Sequence, residues 1–231
     1  MGLRRAWPNA KIVGVDINPQ VRYPFTFIQG DAVSMLANFS RASNIFDEYE
    51  PDFIWASPPC KRFTSLNNRF SHKFKTQPEK AHPDFITPTR KLLQHYGIPY
   101  VIENVVGAPL VNPVLLCGSM FELNIQGRGY LRRHRLFESS FPIVQPKCDH
   151  KNKGRALGVS GHGAKNWAGG GIMLEADAAR KILQVPWMSR DGASQAIPPA
   201  YSEYIAKQYD YSTDSSSITS STSSVSFSIF D

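Results

Sequence analysis

The sequence predicts an α/β fold built on a mainly parallel sheet. Three observations carry that expectation. Short apolar runs alternate with helical stretches, the order in which parallel strands and their crossovers follow one another. Several runs end in residues with chemistry to offer, namely Asp16, Asp31, Cys60 and Glu103. Ligands of open parallel sheets gather beyond the carboxyl ends of the strands, where these residues would stand.

Taken in order, Lys11 to Val15 reads as a strand ending at Asp16, and Phe25 to Ile28 as a second, followed by Gly30-Asp31. Phe53 to Ala56 has the continuous apolar character of a buried strand. Pro83 to Tyr96 reads as a helix with Leu92 and Leu93 on its apolar side. Gly97-Ile98-Pro99 ends it, and Tyr100 to Ile102 forms the next strand. From Pro142 to Gly171 periodicity is lost and glycine, lysine and histidine are frequent, as in a long functional loop. Leu174 to Leu183 and Ala200 to Tyr209 read as helices. The Ser/Thr-rich stretch 211–231 has too little apolar surface to order itself. The expectation is one catalytic domain over 1–210, with 142–171 as an insert, then a disordered tail over 211–231. No internal repeat is present.

At 231 residues and 42% hydrophobic content the chain can bury a full core. No apolar run approaches the roughly 20 residues that span a bilayer. Met1-Gly2-Leu3-Arg4-Arg5-Ala6-Trp7 lacks the apolar core of a signal peptide. The reading is a cytoplasmic protein with no membrane partner. A net charge of +7 and a pI near 9.4 favour a polyanionic partner, against the plainer reading of a basic surface without one. Cys60, Cys117 and Cys148 make neither a disulfide framework nor a CxxC pair. Cys148, His150 and His162 fall short of four ligands and are irregularly spaced, so no metal site is expected.

Three short motifs stand out, in order: Ser57-Pro58-Pro59-Cys60, Glu103-Asn104-Val105 and Arg133-His134-Arg135. A thiol, a carboxyl and paired guanidiniums at strand ends can do nucleophilic chemistry on a flat heterocycle. Lys61, Arg62 and Arg135 can favour the Cys60 thiolate. A carboxyl such as Glu103 in a dry pocket is suited to donating a proton. Lys147, Lys151, Lys153, Arg155, Lys165 and Trp167 can meet phosphate and stack a base. Taken singly, each residue has a plainer role. Cys60 reads as a small buried hydrophobe, Glu103 as a surface or capping carboxylate, and Arg132, Arg133 and Arg135 as a solvated basic edge. Asp16 and Asp31 read as turn formers.

Together and in this order, the motifs resemble those of the DNA cytosine-5 methyltransferase family in its compact phage and prophage form. The resemblance covers nearly the whole stretch from Gly2 to Tyr209. It implies a Rossmann-like class I methyltransferase fold, a bacterial or phage-infected host, and a place in restriction-modification. It implies S-adenosyl-L-methionine as cofactor and double-stranded DNA with a flipped-out cytosine as substrate. Cys60 is then the nucleophile at cytosine C6, Glu103 the ring-activating carboxyl, and Arg133 and Arg135 the residues that orient the base. On the cofactor side, Asp16 takes the ribose hydroxyls and Ile17 packs on adenine. Asp31, in Gly30-Asp31-Ala32, meets the adenine amine beside Ala32, and Pro59 lines the pocket.

The sequence departs from the family pattern at three places. Lys61 stands where the family has Gln, and Gln195 where its last motif begins with Asn. No Phe-x-Gly-x-Gly turn is present. The first strand, central in the sheet, is therefore expected to be missing, leaving apolar edges on both neighbours. A truncated chain, a missed upstream start or a second chain that supplies the piece would account for this; otherwise a monomer is expected. Two other readings follow: a truncated, inactive DNA-binding remnant, and a related enzyme that makes another C5 pyrimidine modification.

Overall fold

The computed structural model describes residues 1–38, 49, 51–63, 82–151, 153–159, 166–167, 171–209 and 225–229, with backbone alone at 166–167 and 225–229. It is a mixed α/β structure with six α-helices among the described residues and two sheets that contain parallel strands. Where the sequence reads 1–210 as one domain, the chain folds as two compact units.

The larger unit comprises Pro8–Val114, Leu136–Pro142 and the described part of Asp210–Asp231. Its strands are β1 (Lys11–Asp16), β2 (Thr26–Gln29), β3 (Pro51–Ala56), β4 (Tyr100–Asn104), β8 (Arg135–Ser139) and β12 (Val225–Ile229). With β5 (Val114–Leu116) they form a seven-stranded sheet in the order β2-β1-β12-β3-β4-β8-β5. β2, β1, β12, β3 and β4 pair in parallel. β8 joins antiparallel, with Glu103 opposite Phe137 and Asn104 opposite Leu136.

The strands the sequence places at 11–15, 25–28, 53–56 and 100–102 are found within one or two residues. The apolar runs decide β1, β3 and β4, because both their faces are buried, whereas β2, at the sheet edge, is only partly covered. Val13, Ile54 and Ile102 sit in one cluster with Val15, Ala56, Tyr100, Leu36 and Leu93. Burying an Ile or Leu side chain contributes about 1.5–3 kcal/mol. Leu36 comes from α2 (Ala32–Ala37) and Leu93 from α3 (Ile86–Tyr96). The latter helix starts three residues later than Pro83 because Asp84 caps it. The Asp84 carboxylate accepts hydrogen bonds from Ile86 N at 2.9 Å and from the Thr87 hydroxyl at 2.6 Å. Gly97 ends it at φ 66°, a left-handed position that favours glycine.

β12 corrects two expectations. Val225–Ile229 lies inside the stretch read as a disordered tail, yet it pairs in parallel with β1 on one side and β3 on the other. It therefore fills the central position where the sequence predicts a missing strand. The reason is legible in Val225-Ser226-Phe227-Ser228-Ile229: serine supplies the polar half of a period-two alternation, so a Ser-rich composition conceals a strand pattern. Residues 210–224 and 230–231 lie outside the described residues.

The smaller unit comprises Met1–Trp7, Leu115–Arg135 and Ile143–Tyr209. Its sheet has five short strands, ordered β10 (Asn166–Trp167), β11 (Gly171–Met173), β9 (Ala156–Gly158), β7 (Gly129–Leu131) and β6 (Asn124–Ile125). β7, β9 and β11 are mutually parallel and the outer pairs antiparallel. The stretch read as an irregular insert thus contributes two strands and the first residue of a third, each strand too short to show periodicity. Helices α1 (Gly2–Ala6), α4 (Ala176–Leu183), α5 (Arg190–Gln195) and α6 (Pro199–Ala206) complete this unit. No helix among the described residues is long and apolar enough to cross a membrane.

Candidate active site and a cysteine–histidine cluster

In the larger unit, β3 runs into Ser57-Pro58-Pro59-Cys60, and a 3-10 turn over Lys61–Phe63 follows. Phe63 N donates to the Cys60 carbonyl at 2.9 Å, which closes that turn directly behind the thiol. Cys60 and Pro59 are half-buried and Lys61 is exposed. Glu103 and Asn104 are the last two residues of β4 and both are buried. The Asn104 side chain donates from Nδ2 to the Pro58 carbonyl at 2.8 Å. Its Oδ1 accepts from Val105 N at 2.9 Å. One amide therefore ties the proline loop of β3 to the end of β4, donating one hydrogen bond and accepting another in a buried setting.

The residues assigned to the cofactor stand at the ends of β1 and β2. Asp16 is buried, and its carboxylate accepts from Asn18 N at 2.7 Å and from Gln20 Nε2 at 2.9 Å. Asp31 is the N-cap of α2 and accepts from Val33 N at 3.1 Å and the Ser34 hydroxyl at 2.6 Å. Both acids thus perform the local turn and capping roles that their residue type favours. Ala32 opens α2 and is half-buried. Ile17 is 63% exposed, a large apolar side chain just beyond a strand end.

Arg133 and Arg135 belong to the smaller unit. Arg133 is buried, with its guanidinium donating to the Val159 carbonyl at 2.7 Å and the Ser194 carbonyl at 2.8 Å. Tyr201 donates from its hydroxyl to the Arg133 carbonyl at 2.7 Å. Arg133 therefore holds three segments of its own unit together. Arg135 is half-buried and donates to the His134 carbonyl at 2.9 Å. Of the basic residues expected to meet phosphate, Lys153 donates to the Ser119 carbonyl at 2.9 Å and pairs with Glu122 at 2.5 Å. Lys165 and His162 lie outside the described residues, as does the side chain of Trp167.

Compared with known proteins, the chain matches no protein-family model and no curated protein sequence.

The structure assembles one group that the sequence dismisses. The ligand atoms of Cys117, His134, Cys148 and His150 lie within 4.8 Å of one another. Cys117 precedes the 3-10 turn Gly118–Phe121, and Gly118 brings it close against β7: a Cβ at Gly118 would lie 2.5 Å from the Leu131 carbonyl oxygen. Burial pushes the Cys117 thiol up, but hydrogen bonding to His134, Ser119 and His150 outweighs burial and brings it down to about 5. The Cys148 thiol is pushed up, first by burial and then by the neighbouring Cys117 charge. Of the residues the sequence offers, Cys148 and His150 belong to this group, and His162 lies outside the described residues. Cys117 and His134 join them only through the packing of the turn on β7 and the course of the chain after it.

Proposed function

We propose that this chain is a DNA cytosine-5 methyltransferase of Rossmann-like fold that uses S-adenosyl-L-methionine. The observation that carries this reading is the Asn104–Pro58 hydrogen bond, which fastens the Pro-Pro-Cys loop to the strand that ends in the buried Glu103. Nucleophile loop and carboxyl thus occupy the carboxyl ends of neighbouring parallel strands, where α/β folds place their ligands. On the cofactor side the open face of Ile17 suits adenine and Pro59 flanks the loop.

In this mechanism the Cys60 thiolate adds to C6 of a cytosine turned out of the duplex, while Glu103 shares a proton with ring N3. The electron pair gained by the ring makes C5 nucleophilic; S-adenosyl-L-methionine, when bound, would supply the methyl group, the electron pair of its broken S–CH3 bond leaving with the thioether sulfur of S-adenosylhomocysteine. A base then removes the C5 proton, and the C6–S bond breaks to restore the ring and the thiolate. Arg135 orients the base, and Arg133 holds the segment that carries it. Cys60→Ser is expected to abolish transfer of labelled methyl groups to DNA; full activity in that variant overturns the mechanism.

A second reading, a DNA-binding remnant without catalysis, is favoured by the engagement of the Asp16 and Asp31 carboxylates in their own turns. Titration calorimetry of the 231-residue chain with S-adenosyl-L-methionine separates the two. Micromolar binding, about −8 kcal/mol, supports the enzyme. DNA binding without cofactor binding supports the remnant.

A further inference from the structure

We propose that Cys117, His134, Cys148 and His150 bind one Zn2+ ion in a closed, structural site. The inference stands on the ligand geometry of the smaller unit and is independent of the methyltransferase reading. The Cys117 and Cys148 sulfurs lie 3.4 Å and 3.0 Å from His150 Nε2, and the Cys148 sulfur lies 3.5 Å from His134 Nε2. Zinc bonds of about 2.3 Å to sulfur and about 2.0–2.1 Å to nitrogen, at tetrahedral angles, separate sulfur from nitrogen by roughly 3.6 Å. Two of the three separations, 3.4 and 3.5 Å, are close to that value, and the third, 3.0 Å, opens by a few tenths of an ångström as the ligands settle about a central ion.

The donor set also selects the ion. Two thiolates and two imidazoles with no carboxylate suit zinc and disfavour the hard cations magnesium and calcium. A cluster of thiols and imidazoles held by hydrogen bonds alone satisfies these atoms poorly. Both imidazoles aim Nε2 at the same Cys148 sulfur, which has a single weak proton to offer and accepts weakly. An ion at the centre gives all four atoms one partner.

The surroundings hold the ligands in place. The Tyr130 ring of β7 stacks on His150 at 5.4 Å, and His150 stacks on His134 at 5.1 Å. Ser119 Oγ lies 3.8 Å from the Cys148 sulfur. Residues 142–150 form no helix or strand, so few backbone hydrogen bonds order the segment that delivers Cys148 and His150. An ion that joins it to Cys117 and His134 supplies the missing constraint, as structural zinc does in small folds. Four protein ligands leave no open position, so the site is structural and does no Lewis-acid chemistry. It also fixes the backbone at His134, between Arg133 and Arg135.

The test uses the full chain purified without chelators. Elemental analysis is expected to find about one zinc per chain. Replacement by Co2+ is expected to give the visible bands of a tetrahedral ion and the ultraviolet charge-transfer band of thiolate ligands. Cys148→Ser is expected to lose the charge-transfer intensity and most of the zinc. His150→Cys, which keeps four ligands, is expected to retain the ion with stronger charge transfer, so the proposal does not hang on one variant that may fold poorly. A folded chain that takes up neither ion overturns the proposal. So does a cobalt spectrum unchanged in Cys148→Ser, or a Cys117–Cys148 disulfide found by mass spectrometry in place of metal. None of these readouts uses methyl transfer, so failure here and failure of the proposed activity are told apart.

Discussion

Asn104 shows how much can rest on one side chain. Its amide links the end of β4 to the proline loop that presents Cys60, and it is buried. Asn104→Ala removes the donor and leaves the Pro58 carbonyl without its hydrogen bond in a dry setting, which costs about 1–3 kcal/mol. Urea unfolding is expected to show that loss. The same change loosens the loop, so Cys60 is expected to react faster with a thiol reagent than in the parent chain. Equal labelling rates would mean that the prolines alone fix the loop. The sequence marks Glu103-Asn104-Val105 as a unit, but it does not reveal that Asn104 serves the loop, because that role depends on the β3–β4 register.

At the scale of elements, helix α3 is held at two points that can be tested separately. Its body is fastened to β8 by Arg90, which donates to both carboxylate oxygens of Glu138 at 2.7 Å. Glu138 is buried and also accepts from Val111 N at 2.8 Å. Glu138→Ala leaves the half-buried guanidinium of Arg90 with its charge and no carboxylate, and losing this charge-assisted pair costs about 1.5–3 kcal/mol, less than a fully buried pair. Replacing both residues by apolar ones of similar size is expected to recover most of that, and a double-mutant cycle in denaturant measures the difference. The N-terminus is held by Asp84. Burial alone would raise its pKa, but hydrogen bonds from Thr87 and Ile86 outweigh burial and lower it below the ordinary value of 3.8. A carboxyl with a depressed folded-state pKa contributes its full stabilisation above the unfolded value and loses it as pH falls through the folded one. Asp84→Ala is therefore expected to cost about 0.5–2 kcal/mol at neutral pH. The gap between variant and parent should close as the pH is taken below the carboxylate range. If the gap persists in acid, the side chain acts through packing. Helix α3 is legible through Leu92 and Leu93 on its apolar side and Gly97 at its end; its start is not, because Pro83-Asp84-Phe85 has the composition of a first turn and serves as the approach to it.

At the scale of the molecule, the contrast between the two sheets explains what the sequence discloses. β1, β3 and β4 are five or six residues long and almost wholly buried, so each appears as an apolar run. The strands of the smaller unit are two or three residues long, and no period can be read from so few positions. Its cysteine–histidine cluster is equally concealed, since its ligands come from three separated stretches. β12 is the instructive middle case, an alternating pattern hidden by serine. Its placement has a consequence for the proposed chemistry. A strand that pairs on both sides sets β1 and β3 two strand spacings apart, about 9.5 Å, and so fixes the distance between the end that carries Asp16 and the end that leads to Cys60. Proline at the middle of such a strand removes a ladder hydrogen bond and is tolerated essentially only at sheet edges. Phe227→Pro is therefore expected to destabilise the larger unit by about 1–3 kcal/mol, the cost of a buried backbone group left without its partner, read by urea unfolding. On the methyltransferase reading it should also abolish S-adenosyl-L-methionine binding in calorimetry, because the two halves of the site lose their spacing. Lost stability with cofactor affinity intact would show that β1 and β3 hold their positions without β12. An unchanged unfolding curve would show that the ladder between β1 and β3 contributes nothing to the fold.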